Sequence, residues 1–332
     1  MNIIDPTISV IIPAYNAEKF IAKAIESVLA QKCRHETEII VIDDNSTDNT
    51  RNIVYSMSKQ YGRIILLTNE RKKGPSGARN TGLLESRGYY ISFLDADDLW
   101  YSNHLEEGIN FLEKNDDVDA VFYNFDVYEY AAKKKIGDWF SLRNFTNILK
   151  TKTLGNEYYL ISDDIYDALL NESFIHLQSM IIRHRVINNI LFNENVQISE
   201  DRDFAIKLYT NSKAHFAYKN LITGVYYRHL DSLTSNNMQK LELSLYDHIY
   251  LLKSYLEHEP QNSSKRLKIK KMLFNKYISL SYSQRKLIKH RAALKALIKS
   301  FSYGISNSQL LEFAKIVASC ILYPLKKKYD FK

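Results

Sequence analysis

The sequence predicts an α/β protein, a mostly parallel sheet flanked by helices, followed by a helical C-terminal extension. Three observations carry this. Over the first hundred or so residues, short β-branched apolar runs alternate with stretches of helical periodicity, the pattern of βαβ units. Three of those runs lead into polar clusters, Pro13–Asn16, Asp43–Ser46 and Asp95–Asp98. In such sheets ligands bind outside the carboxyl ends of the strands, so the clusters are expected to converge. From Lys240 onward the pattern becomes helical and rich in Lys and Arg.

The elements follow in order. Ile8 to Ile12, ended by Pro13, is a buried strand. Ala17 to Gln31 carries Phe20, Ile21, Ala24, Ile25, Val28 and Leu29 at helical spacing. Glu38 to Ile42 is the second strand, Thr50 to Tyr61 a helix and Ile64 to Leu67 the third strand. Gly74-Pro75-Ser76-Gly77 breaks the chain before a helix from about Ala78 to Ser86. Tyr89 to Leu94 is the fourth strand and ends directly on Asp95. A helix from Asn103 to Lys114 places Leu105, Ile109 and Leu112 on one face, and Asp119 to Tyr130 has strand character. Residues 131–175 show no clear periodicity. Ser179 to Arg183 is a further strand, Asp201 to Asn211 a helix, and Val225 to Tyr227 a strand leading into Arg228-His229.

Composition bounds the function. Cys33 and Cys320 supply neither a disulfide framework nor a zinc spacing, which fits a reducing cytoplasm. The N-terminus does not read as a signal peptide. No stretch approaches the ~20 apolar residues that span a bilayer. The 24 Tyr serve packing or, alternatively, form platforms for sugar rings. Charge is uneven. Residues 240–332 hold 19 Lys and Arg against 6 Asp and Glu, a net of +13, whereas residues 1–239 hold 26 against 32, a net of −6. A basic tail of this kind points to an anionic partner, either a membrane surface or a nucleic acid.

Four segments could carry chemistry. In Asp95-Ala96-Asp97-Asp98, three carboxylates at a strand end repel one another unless a cation neutralises them. Hard cations such as Mg2+ or Mn2+ favour carboxylate oxygens and share them with substrate phosphates. The alternative is an acidic turn with Asp98 as a helix cap. Asp43-Asp44-Asn45-Ser46-Thr47-Asp48 is a strand-ending turn with a capped helix, or a site for a base or ribose. Gly74 to Asn80 is a plain loop and helix start, or a means of bringing Arg79 to a diphosphate; the P-loop spacing is absent. No Gly-x-Gly-x-x-Gly follows the first strand, which argues against a nicotinamide dehydrogenase. Ser199-Glu200-Asp201-Arg202-Asp203 is an acidic helix start, or the source of a general base.

Taken together and in order, these segments resemble family 2 glycosyltransferases of the GT-A fold, the type that builds bacterial surface polysaccharides. The resembling residues are Ser9 to Asn16, Val41 to Asp48, Gly77 to Gly82 and Phe93 to Asp98. Glu200-Asp201, Tyr227-Arg228-His229 and Ser232-Leu233-Thr234 follow. The resemblance implies a GT-A domain over 1–238, with a nucleotide-binding half (1–115) and an acceptor-binding half (116–238), and a basic helical extension over 239–332. It implies Pro13 and Tyr15 against the base, Asp44 bonded to it, Arg79 near the diphosphate, Asp95 on the ribose and Asp97 on a Mn2+ or Mg2+ ion. Asp201 would be the general base with Glu200 beside it. Arg228 to Thr234, Ser232 included, would close over the diphosphate, and His229 would be a metal or phosphate ligand. The implied reaction is inverting transfer of a hexosyl or N-acetylhexosaminyl unit from a nucleotide-diphosphate sugar, most often a UDP-sugar. The acceptor would be a glycan or an undecaprenyl-diphosphate-linked oligosaccharide, in O-antigen (lipopolysaccharide), capsule or related synthesis.

The tail fits that setting. Leu310 to Leu325 is mostly apolar, interrupted by Glu312 and Lys315 and followed by Lys326-Lys327-Lys328. It reads as an amphipathic helix lying on an anionic leaflet, or as a core-packing helix with a basic end. The expected location is cytoplasmic, peripheral on the inner face of the cell membrane. Two other readings compete. A nucleotidyltransferase shares such a sheet but needs a glycine- and basic-rich loop after the first strand, where this chain has Ala14-Tyr15-Asn16-Ala17. A nonenzymatic module with a nucleic-acid-binding tail would not need the intact acidic set, so no nucleic-acid partner is expected.

Overall fold

The computed structural model describes residues 7–143, 149–162, 165–229 and 237–329. Its contacts divide the chain into two compact units, Met1–Val196 with Glu200–Leu230, and Gln197–Ser199 with Asp231–Lys332.

The first unit is built on strands buried on both faces. β1 (Ile8–Ala14) and β2 (Thr37–Asp43) are covered almost throughout, which is why they read as unbroken apolar runs. They pair in parallel from Ile8 opposite Thr37 to Ala14 opposite Asp43. β3 (Ile64–Thr68) pairs in parallel with β2, and β4 (Tyr90–Phe93) with β1. The helices α1 (Ile21–Leu29), α2 (Thr50–Gln60) and α3 (Pro75–Glu85) make the connections. α3 begins at Pro75, three residues before the expected start, because proline is pre-shaped for the first helical turn. α1 begins later than expected, after a turn in which the Ala17 carbonyl accepts from Phe20 and Ile21.

Beyond β4 come β5 (Leu99–Trp100), α4 (His104–Glu113), β6 (Ala120–Glu129) and β7 (Lys134–Asp138). Then follow β8 (Thr151–Gly155), β9 (Tyr158–Ile161), α5 (Ile165–Asn171), β10 (Met180–Arg183), α6 (Glu200–Ser212) and β11 (Phe216–Arg228). The described strands form one sheet ordered β3-β2-β1-β4-β10-β6-β11-β9-β8, with β5 on β11 and β7 on β6. β10 runs antiparallel to both β4 and β6. An antiparallel strand begins where its neighbour ends, so the residues just before Met180 meet those just after Phe93. β11 is parallel to β6 and therefore delivers Arg228 and His229 to the same edge.

The structure extends the sequence reading in two places. β11 covers Phe216–Arg228 rather than Val225–Tyr227 alone; Lys219, Asn220 and Thr223 and two register shifts break its apolar pattern. Residues 131–175, which lacked a readable period, contain β7, β8, β9 and α5, short elements with exposed Lys and Thr.

The second unit is helical: α7 (Met238–His258), α8 (Ser264–Lys286), α9 (His290–Ser300) and α10 (Asn307–Tyr329). The Asn237 side chain caps α7 by accepting from the Gln239 and Lys240 N–H groups, and Ser263 caps α8. Among the described residues no helix is long and apolar enough to cross a membrane.

Close packing of α3 on the sheet depends on Gly82. A Cβ there would lie 2.5 Å from Ile11 Cγ2 and 2.7 Å from Ile42 Cδ1. Gly82→Ala is expected to cost about 1–3 kcal/mol through overpacking. Urea unfolding checks this: the midpoint should fall with the slope unchanged, and an unchanged midpoint would contradict the packing.

Candidate active site

The three polar clusters meet at the carboxyl edge of the parallel strands. Asp44 N–H donates to the Ala14 carbonyl at 2.8 Å. Asn16, in the left-handed region at φ 48°, accepts from Thr47 N–H at 2.8 Å through its side chain, and its own N–H donates to Ser46 Oγ at 3.0 Å. Asp44 is buried, and its carboxylate is aimed by two donors, Gly74 N–H at 2.8 Å and the Asn69 amide. Each oxygen keeps a second lone pair for a ligand. Asp43 faces elsewhere, toward Ser46 N–H and Arg51. Tyr15, three residues before Glu18 and just past Pro13 and β1, is half exposed, with the Lys73 ammonium 4.0 Å over its ring.

The acidic turn after β4 is held by one buried cation. Arg79, on α3 and 4% exposed, donates to Asp95 Oδ1 at 2.7 Å and to Glu200 Oε1 at 2.9 Å. Burial opposes its charge, but the Asp95 and Glu200 carboxylates more than offset this and hold its pKa above the ordinary value. Asn80, beside it, donates to the Phe192 carbonyl and accepts from Phe192 N–H. Phe192 in turn stacks on Phe204 of α6 at 4.2 Å. Thus Arg79-Asn80 fixes the segment that delivers Glu200 and Asp201, at the start of α6, to the edge where Asp95 lies.

The remaining carboxylates have distinct surroundings. Asp98 is fully buried; it accepts from Tyr227 N–H at 2.7 Å and from the Gln178 amide. Burial, then Asp97 and Asp95, push it well above the usual carboxylate range. Gln178 also donates to Asp95 Oδ2 at 2.9 Å and accepts from Asp95 N–H at 3.1 Å. Asp97 points the other way, with its side chain 41% exposed and His229 Nε2 at 3.3 Å. Burial, then the neighbouring Asp95 charge, push it up to about 6. Phe20 and Tyr130 flank the His229 ring at 5.1 and 4.5 Å. Burial raises Glu200 to about 7 against the pull of Arg79 and with the repulsion of Asp201. Burial also raises Asp201, which accepts from Arg202 N–H and, at 3.3 Å, from Ser173 Oγ.

Two neighbouring side chains could take part in holding a divalent cation. Among the described residues no group of three acidic, His or Cys side chains could enclose a metal. Asp97 and His229 offer one carboxylate oxygen and one imidazole nitrogen side by side. Such a pair fits Mg2+ or Mn2+ only where substrate phosphates complete the shell. Arg228 lies at the end of β11 beside His229, and Ser232 lies outside the described residues.

Sequence reasoning missed Gln178 and the Tyr227 N–H. Neither has a residue-type signal of its own; only the reversed direction of β10 and the reach of β11 bring them to Asp95 and Asp98. It also missed an aromatic group in which the buried His176 lies 4.5 Å from the buried Trp139 ring and 5.0 Å from the half-buried Tyr226.

The model of glycosyl transferase family 2 matches residues 9–170 of this chain. WfgD of Escherichia coli, a UDP-Glc:alpha-D-GlcNAc-diphosphoundecaprenol beta-1,3-glucosyltransferase, is 45% identical over 123 residues, 37% of this chain. That match covers 47% of WfgD, less than half of its length. WfaP of Escherichia coli, described by the same activity, is 31% identical over 235 residues, 70% of this chain and 82% of its own. Among solved structures, S. aureus TarS in complex with UDP-GlcNAc superposes on 94% of this chain and 89% of its own, with a TM-score of 0.62 and 18% identity. The last likeness shows the fold, which is GT-A.

The raised Glu200 carboxyl leaves a mark on stability. It binds its proton more tightly folded than unfolded, so its contribution falls as pH rises from the ordinary 4.5 through about 7. Glu200→Gln is expected to flatten the loss of unfolding free energy between about pH 5 and about pH 8 by on the order of 1–3 kcal/mol. Urea titrations at the two pH values measure it, and equal losses in both proteins would contradict the assignment.

Proposed function

The chain belongs to glycosyl transferase family 2, and from that premise we propose that it is an inverting, metal-dependent transferase of a hexosyl or N-acetylhexosaminyl unit. The donor is a UDP-sugar. The acceptor is a hydroxyl of a glycan carried on undecaprenyl diphosphate, in O-antigen, capsule or related surface-polysaccharide synthesis. The printed activities of WfgD and WfaP support this choice of donor and acceptor. In this reading residues 1–115 bind the nucleotide, 116–238 the acceptor, and the protein works from the cytoplasm at the inner face of the cell membrane.

The observation that carries the reading is the Arg79 bridge, which joins Asp95 of the acidic turn to Glu200 beside Asp201. It joins the two functions that a sugar transferase needs, an anchor for the donor and a base for the acceptor. On the donor side Pro13 and Tyr15 pack on the base, Asp44 accepts from its N–H, and Asp95 accepts from the ribose. Asp97 and His229 hold Mn2+ or Mg2+, and Arg228 and Ser232 contact the diphosphate. With both arms engaged, Arg79 acts by holding Asp95 and Glu200 in place. The bound cation supplies electrostatic stabilisation of the departing diphosphate.

Asp201 takes the proton from the acceptor hydroxyl as that oxygen forms a bond to the anomeric carbon. The bond from that carbon to the diphosphate oxygen breaks on the opposite face, so configuration inverts. The raised pKa of Asp201 makes it a stronger base than an ordinary aspartate. Glu200, its neighbour, contacts the acceptor or donor sugar in this reading.

Asp201→Asn is expected to lower kcat by about 10²–10⁴-fold with donor KM little changed. Asp97→Ala is expected to lower kcat/KM by about 10²-fold or more and to raise the Mn2+ concentration needed for half-maximal rate. Both are read from UDP release with a lipid-linked glycan acceptor, alongside thermal melts that should match the wild type. Near-normal transfer by the Asp201 variant would remove it as the base.

A further inference from the structure

The last described helix is turned the wrong way round for water. In α10 two polar side chains, Gln309 and Glu312, face inward, while Asn307, Ser308 and Lys315 are exposed. Gln309 is buried and donates to Ser300 Oγ at 2.8 Å and to the Gly304 carbonyl at 3.0 Å. Glu312 is buried and paired with Arg285 at 2.8 Å. Ile316 joins them on the inner face and packs with Ala293 and Leu297. Apart from Ile316, large apolar side chains face outward: Leu310 is 67% exposed and Phe313 49%, with Leu311 and Val317 also exposed. Leu310, Phe313 and Val317 stand at i, i+3 and i+7, a single stripe along the helix. A helix in water turns such a stripe into the core; here the bonds of Gln309 and Glu312 hold it out, so something apolar is needed to cover it.

Three observations choose the cover. Residues 240–332 carry a net charge of +13, which complements an anionic surface. Glu312 is the single acidic residue between 307 and 320. It is turned inward onto Arg285, so the outward stripe carries no carboxylate to repel an anionic leaflet. No described helix is long and apolar enough to span a bilayer, so the stripe suits a helix that lies along the headgroup plane.

We propose that the Leu310–Phe313–Val317 stripe of α10 docks the protein on an anionic lipid bilayer. This deepens the proposed function and rests on its lipid-linked acceptor, because a docked enzyme meets that acceptor within the plane of the membrane.

The experiment floats the full chain with vesicles of phosphatidylcholine alone and of phosphatidylcholine with phosphatidylglycerol. The bound fraction is expected to be about tenfold greater or more on the anionic vesicles, and Leu310→Glu with Phe313→Glu should remove most of that gain. As a second readout that leaves the stripe apolar, Leu310→Trp should show a blue-shifted emission on adding anionic vesicles. No flotation by the wild type, equal flotation by the double variant, or an unshifted Trp would overturn the proposal. So would a wild-type dimer that the double variant turns into monomer without any vesicle binding. UDP-glucose binding measured without vesicles separates the two readings. A chain that binds UDP-glucose but does not float loses this inference alone; a chain that floats but binds no UDP-sugar loses the proposed function.

Discussion

Placing several carboxylates at the end of a buried strand is costly unless a fixed cation stands among them. Arg79 is that cation. It is buried, it pairs with Asp95 and Glu200, and it grows from a helix packed so closely on the sheet that only glycine fits at position 82. The position of α3 therefore decides the position of Arg79. Arg79 in turn sets where the acidic turn and the start of α6 stand relative to each other, although they are separated by about a hundred residues of chain.

The same logic distributes labour among the acids. Asp98 is spent on structure: its oxygens are taken by Tyr227 N–H and Gln178, and in that way it fastens β11 to the acidic turn. That fastening is what brings His229, two residues further on, against Asp97. Asp97, with its side chain 41% exposed, and Asp95, at 32%, keep open faces. Neighbouring carboxylates of similar sequence thus separate into a structural tie and groups left open to solvent, and burial is the cause.

How much of this could be read from residues alone depended on the local physics. β1, β2 and β4 are covered on both faces, so their apolar runs and the polar clusters that end them stand out in the sequence. Asp44, Asp95 and Asp97 stand in the polar clusters that end these strands and Glu200 and Asp201 in an acidic helix start, but it was the resemblance of the ordered motifs to family 2 glycosyltransferases that gave these acids roles. What stayed hidden depends on long-range pairing. The reversal of β10 that carries Gln178 to Asp95 leaves no local trace, and the first nine residues of β11 are masked by Lys219, Asn220 and Thr223. The turning of α10 was also invisible to periodicity, because its stripe reads equally well as facing in or out.

In the proposed reading this edge of the sheet binds a nucleoside diphosphate, and Asp97 and His229 would hold the divalent cation that binds with it. Calorimetric titration of UDP into the protein, with and without Mn2+, tests it most directly. UDP is expected to bind, and Mn2+ to tighten that binding by about tenfold or more. UDP binding of the same strength with and without the metal, or none in either case, would contradict it.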